Sequence, residues 1–146
     1  MDIHSTVADL NLITEVAQCA PTTSIDEVRK LLQQSKIGSI LITEQNVVKG
    51  IFTERDYLMK IAGDENKKQT MPVSDFMTAN PKSVYPTTQL TEVLELMNKG
   101  RFRHVVVIND QSHLVGVISI RDLIEFLQAT VNELENSFKD LAACIV

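Results

Sequence analysis

One seven-residue phrase occurs twice in this chain. GIFTERD fills residues 50–56, and GVISIRD fills residues 116–122, 66 positions later. Both run glycine, apolar, any residue, hydroxyl, any residue, arginine, aspartate. A repeat constrains architecture more than any other single feature, because a unit too small to bury its own apolar face must pack against its copy. Further pieces match at the same spacing. Val7-Ala8-Asp9-Leu10 matches Val73-Ser74-Asp75-Phe76, and Pro21-Thr22-Thr23 matches Pro86-Thr87-Thr88. Val28, Leu31 and Leu32 match Val93, Leu96 and Met97, while Ile40-Leu41-Ile42 matches Val105-Val106-Val107. The offset drifts between 65 and 66, so the loops differ by one residue while the apolar register holds.

Each half reads in the same order. A short extended piece ends at a turn proline (residues 16–20 and 83–85). An amphipathic helix follows, with Ile25, Val28, Leu31 and Leu32 on one face, and Leu90, Val93, Leu94 and Met97 in the second copy. Thr23 or Ser24, and Thr88, are candidate N-caps, and Ser24-Ile25-Asp26-Glu27 has capping-box spacing. Two β-rich runs come next, 39–43 then 47–52, and 104–108 then 114–118, joined as hairpins by polar loops. A second helix is predicted just after each aspartate. The expected class is α+β, with tandem β-α-β-β-α repeats packed across a pseudo-two-fold axis and an amphipathic helix at the C-terminal end. The boundaries are 7–63 for the first repeat, 64–72 for a linker containing the polar DENKKQT, 73–128 for the second repeat, and 129–146 for the helical extension. A half of this size is small for independent stability, so the two are expected to bury their sheets together and leave matched clefts between them.

Composition narrows the function classes. With 146 residues, 44% apolar and 23% charged, the chain is globular in character. The net charge of −5 and the lack of a Lys/Arg cluster argue against nucleic acid, whose phosphates require a basic face. No apolar run approaches the roughly 20 residues of a membrane helix. MDIHSTVADL has neither the basic nor the apolar region of a signal peptide, and the expected compartment is the cytoplasm. Cys19 and Cys144 have no metal-ligand companions and read as reduced thiols.

The repeated phrase has two physical readings. In one, Thr53 and Ser119 are helix N-caps and Asp56 and Asp122 complete capping boxes from position N3. In the other, the same strand-to-helix junction grips a ligand. Helix N-terminal N–H groups attract an anion, the glycine lets a flat ring approach the backbone, and the hydroxyl reaches a phosphate. The aspartate accepts from vicinal ribose hydroxyls, and Arg55 or Arg121 reaches phosphate.

At this point the chain resembles a known family, the CBS-domain pair or Bateman module, in its stand-alone two-domain form. The resemblance covers residues 7 to 128. It rests on the doubled GIFTERD/GVISIRD motif, the Val-x-Asp-apolar start of each repeat and RFRHVVVIND at 101–110. It implies a regulatory ligand, AMP, ADP or ATP, or sometimes NAD or S-adenosylmethionine, and no catalysis. By the same resemblance, Asp56 and Asp122 hold ribose, Thr53 and Ser119 lie near ribose and phosphate, and Ile51 and Val117 pack on adenine. The Ser119/Asp122 cleft would borrow Ala17 and Ile37 from the other repeat, and the Thr53/Asp56 cleft would borrow Lys82 and Phe102. Arg103 and His104 would face phosphates. Repeat 2 carries Arg101, Arg103 and His104 where repeat 1 has Lys36, Gly38 and Ser39, so one cleft is expected to bind better than the other. Phosphate-directed cations argue mildly against S-adenosylmethionine.

Leu127, Val131, Leu134, Phe138, Leu141 and Ile145 alternate by four and three, the spacing of a coiled-coil seam. The helix either packs back on its own domain or adds to a homodimer interface, the association that the family resemblance implies. Three functions compete. They are a nucleotide-sensing regulatory module acting on an unidentified protein partner, an interaction scaffold with the same fold and no ligand, and an enzyme. The third is disfavoured because no nucleophile-base, phosphate-loop or zinc motif is present.

Overall fold

The computed structural model describes residues 4–12 and 14–144. The first half contains β1 (Gln18–Cys19), α1 (Ile25–Ser35), β2 (Ser39–Glu44), β3 (Val47–Thr53) and α2 (Glu54–Lys60). A short α3 (Glu65–Lys68) lies in the connecting segment. The second half contains β4 (Thr78–Ala79), β5 (Ser83–Val84), α4 (Leu90–Gly100), β6 (His104–Ile108), β7 (Leu114–Ser119) and α5 (Ile120–Cys144). The class is α+β, and the repeated β-α-β-β-α order is present in both halves.

Local chemistry explains the ends of these elements. α1 begins where Ser24 Oγ accepts from the Glu27 N–H at 3.2 Å. Thr88 does not cap α4. The residue in register with Ser24 is Gln89, which makes no side-chain cap, and Thr88 Oγ1 accepts from Tyr85 N–H at 3.0 Å instead. α1 and α4 both stop at a residue in the left-handed region, Lys36 (φ 51°) and Arg101 (φ 54°). The β2–β3 hairpin turns through Gln45 and Asn46, both at positive φ, as a two-residue turn between twisted strands favours. The repeat aspartates lie inside their helices, because α2 starts at Glu54 and α5 at Ile120, each three residues earlier than an onset after Asp56 or Asp122.

The strands form two sheets, in the orders β1-β2-β3-β4 and β5-β6-β7. β2 pairs antiparallel with β3, and β6 with β7. Both sheets are covered on two faces, so their strands read as nearly unbroken apolar runs. Ile40, Ile42 and Phe52 pack with Val28 and Leu32 in one core. Val105, Val107 and Ile118 pack with Val93, Met97 and Leu123 in the other. The intervening residues, Leu41 from the first sheet and Val106 and Val117 from the second, meet in a third cluster at the seam. Leu31 and Leu94, expected on the buried helix faces, stay exposed at their flanks.

The leading segments of the repeats are exchanged. Val7 is fully buried in the core of the second half, with Val84, Leu90 and Val93, and its N–H donates to Thr88 O at 2.9 Å. Val73 is fully buried in the core of the first half, and its N–H donates to Thr23 O at 2.8 Å. β4 likewise joins the first sheet beside β3. The connecting segment is tied down as well. Met71 O and Gln69 O accept from the otherwise unpaired N–H groups of Ile25 and Asp26 at the start of α1, each at 3.0 Å.

α5 is the longest element, with 25 residues. From Val131 to Cys144 every residue is exposed, so this part of the helix does not pack back on its own chain. Ile145 lies outside the described residues. No described helix is long and apolar enough to cross a membrane.

Candidate functional site

Both copies of the phrase end a strand and open a helix. Thr53 caps α2, with Asp56 N–H donating to Thr53 Oγ1 at 3.1 Å. Thr53 N–H donates back to Asp56 Oδ2 at 3.0 Å, and the Thr53 hydroxyl lies 3.2 Å from the same oxygen. Ser119 and Asp122 repeat the pattern, with Ser119 N–H to Asp122 Oδ2 at 2.8 Å and Asp122 N–H to Ser119 Oγ at 3.1 Å. The capping-box reading therefore describes both junctions. Each aspartate still keeps a second oxygen outside its box. Asp56 Oδ1 pairs with Lys60 Nζ at 3.2 Å.

The first junction opens on a cavity of about 390 Å³ between the repeats. Ile51, Thr53 and Asp56 form one wall. Lys82, Phe102, Arg103, His104 and Val106, from the other repeat, also line the cavity. This volume falls in the range of small-molecule sites, about 300–1,000 Å³. Every residue expected in the Thr53/Asp56 cleft, apart from Arg55, meets here. Arg55 is exposed in the first turn of α2 and does not line the cavity. Sequence reasoning missed Thr78, Asn80 and Pro81, which complete the wall. The Asn80-Pro81 dipeptide is a turn signal, and Asn80 adopts positive φ (49°) where the chain passes from the first sheet to the second.

The second junction is built differently. Ala17, Ile37 and Val117 line a smaller cavity of about 190 Å³, but Ser119 and Asp122 are not on its wall. Arg121 is exposed and also outside it. The residue across the hairpin differs as well. Thr53 stands opposite Ser39, whereas Ser119 stands opposite His104. His104 and Ile51 line both cavities, and Ser39 lines the smaller. Charge follows the same asymmetry. The larger cavity has Lys82, Arg103 and His104, while the smaller has His104 with Glu15. Arg101 faces neither cleft and borders a more open depression of about 580 Å³ on the outer face of α4.

His104 is exposed at the cavity mouth, yet partial burial of its ring lowers its pKa below the ordinary value of 6.5; Asp122 pulls it upward and Arg103 pushes it down. The glycines act on packing. A Cβ on Gly50 would fall on the Met77 side chain and reach Thr78 O at 3.0 Å, so the face expected to admit a flat ring is filled by the chain that crosses from the other repeat. A Cβ on Gly100 would fall on the Phe102 ring, so this glycine allows the aromatic wall of the larger cavity to fold over the end of α4. The cavity wall combines apolar side chains (Ile51, Val106) with cations (Lys82, Arg103), an imidazole and a carboxylate with a hydroxyl (Asp56, Thr53). That arrangement suits a ligand with a flat apolar part, vicinal hydroxyls and an anionic end.

Comparison with known proteins identifies the family. The model of a family described as CBS domain matches residues 7–63 and again residues 73–129. The CBS domain-containing protein YhcV of Bacillus subtilis is 33% identical over 132 residues, covering 90% of this chain and 88% of its own length. The mitochondrial CBS domain-containing protein CBSX3 of Arabidopsis thaliana is 32% identical over 132 residues, covering 87% of this chain and 62% of that longer protein. Among solved structures, a CBS domain protein from Pyrobaculum aerophilum complexed with AMP superposes with a TM-score of 0.74 at 29% identity, covering 90% of this chain and 99% of that one.

Proposed function

This chain belongs to the CBS domain family, and on that premise we propose that it is a regulatory module that binds an adenosine-containing nucleotide between its two repeats. AMP, ADP and ATP are the first candidates and NAD is another. One observation carries the reading. The larger cavity brings Thr53 and Asp56 of one repeat face to face with Lys82, Arg103 and His104 of the other. Adenine fits between Ile51 and Val106, ribose reaches Asp56, and phosphate reaches the cations. The AMP complex of the Pyrobaculum relative supports the ligand class. The module works as a cytoplasmic homodimer and signals in trans, since a partner that prefers one packing of the repeats senses the ligand through that preference.

Isothermal titration of the purified chain with AMP, ATP, NAD and S-adenosylmethionine tests this. Micromolar binding of an adenine nucleotide at one dominant site per chain is expected. Asp56→Ala should weaken that site about 10- to 150-fold, while costing only about 1 kcal/mol of stability as a lost cap. A second reading, a ligand-free interaction scaffold, is favoured by the closure of both capping boxes. Silence in all four titrations would select it.

A further inference from the structure

α5 carries more apolar surface than its own fold covers. Leu123 is buried and Phe126 packs on the second core. Beyond them, Ile124 (47% exposed), Leu127 (38%), Val131 (51%), Leu134 (54%), Phe138 (70%) and Leu141 (59%) form one stripe. Their spacing of three and four is that of heptad positions a and d over three heptads. Assigning Ile124, Val131 and Phe138 to a puts Leu127, Leu134 and Leu141 at d. A β-branched residue at a with leucine at d favours two parallel strands; two of the three a positions follow this rule.

We propose that α5 pairs with the α5 of a second copy of this chain as a parallel two-stranded coiled coil. The charge pattern fits this occupant. Glu125, Glu133, Lys139 and Asp140 fall at the outer b and c positions, away from the seam. The flanking e and g positions between Gln128 and Ala142 hold one charge, Glu135, which in parallel register faces the g position of Thr130. No like charges meet across the seam. The area reaches the threshold. The six side chains expose roughly 600 Å² per copy, so full cover of both stripes buries at most roughly 1,200 Å², the lower end of specific stable interfaces. A helix that stands free in water from Val131 onward needs such cover, because isolated helices of this length are marginal.

The a and d residues set the direction, and a neighbouring patch extends the stripe. Leu94, 40% exposed on α4, borders the start of the stripe together with the narrow groove between α4 and α5. In a parallel pair both bodies sit at the same end, and these patches approach each other. In an antiparallel pair the bodies sit at opposite ends and the two patches stay apart. The inference deepens the homodimer of the proposed function and rests on it, but is independent of the nucleotide.

The test uses the full chain. Sedimentation equilibrium should show a dimer. Leu134→Glu, at a position that touches no other part of its own chain, should weaken dimerisation at least tenfold without changing the melting of the body. Truncation after Ala129 should do the same. Spin labels on the exposed Cys144 should then lie close together in the pair, rather than the 30 Å or more, roughly, of an antiparallel arrangement. A wild-type monomer would overturn both the dimer and the coil. A dimer as tight in Leu134→Glu as in wild type would overturn the coil and leave a dimer through another face. A long label distance would overturn the parallel order.

Discussion

Lys60 Nζ lies 3.2 Å from Asp56 Oδ1, one helical turn beyond it, and donates to the carbonyl of Phe76 at 2.7 Å. The matching position in the other repeat is Phe126, packed on the second core, and Asp122 has no ion pair among the described residues. The two aspartates of the repeated phrase thus make equivalent capping boxes but differ in electrostatic surroundings. Lys60→Ala should cost about 0.3–0.5 kcal/mol, the ordinary worth of such a helix pair, and the loss should shrink as salt rises. Urea unfolding at low and high salt measures both. A loss above about 1 kcal/mol, insensitive to salt, would mean that the Phe76 hydrogen bond dominates.

Gly50 is held to its identity by the crossing chain. Alanine there would press on Met77 and on the Thr78 carbonyl. Overpacking costs about 1–3 kcal/mol, and because Gly50 pairs with Ala79, the strain falls on the β3–β4 edge. Gly50→Ala should lower stability by that amount, and Met77→Ala in the same chain should return part of it. Additive effects in the double mutant would disprove the contact.

His104 sets a pH dependence whose sign follows from its surroundings. Burial, reinforced by Arg103 and opposed by Asp122, lowers its pKa in the folded chain. The unfolded chain therefore takes up that proton first as pH falls. The contribution is complete above the unfolded value of 6.5 and is lost as pH drops through the folded value. Between about pH 7 and pH 5, wild type should lose more stability than His104→Gln. A phosphate beside the ring acts in the opposite direction and favours the proton. Titration in buffers of different protonation enthalpy should show proton uptake on nucleotide binding, absent in His104→Gln. Equal uptake in both chains would exclude His104 as the source.

Val7 and Val73 report the exchange of segments. Each is fully buried in the core of the half to which it does not belong by sequence. Removing two buried methyl groups with incomplete collapse costs about 2 kcal/mol. Val7→Ala should lower hydrogen-exchange protection in α4 and β6 more than in α1 and β2, and Val73→Ala should do the reverse. Protection lost within the residue's own repeat would contradict the exchange.

Much of this molecule follows from short-range pattern. The helix periodicity of Ile25, Val28 and Leu32, the doubled strand pairs and the hydroxyl-to-aspartate spacing each depend on residues within a turn or a hairpin. Their outcome is local geometry. The coverage of the strands on both faces is also written in their unbroken apolar runs. The resemblance to a paired-domain family assigned Lys82 and Phe102 of the other repeat to the Thr53/Asp56 cleft, and both line the larger cavity beside Arg103 and His104.

The sequence by itself determined that there are two like halves, that each opens a helix on a Thr/Ser–Asp box, and that α5 is amphipathic beyond the second repeat. Those properties depend on spacing along the chain. Only the tertiary structure decided which cleft is large, why Gly50 must be glycine, and which core receives Val7 and Val73. Each of these is set by a neighbour distant in sequence. Lys82 and Phe102 reach the Thr53 cleft from the other repeat, Met77 crosses Gly50, and leading segments cross between halves, because burial rewards whichever apolar surfaces meet, not those adjacent along the chain.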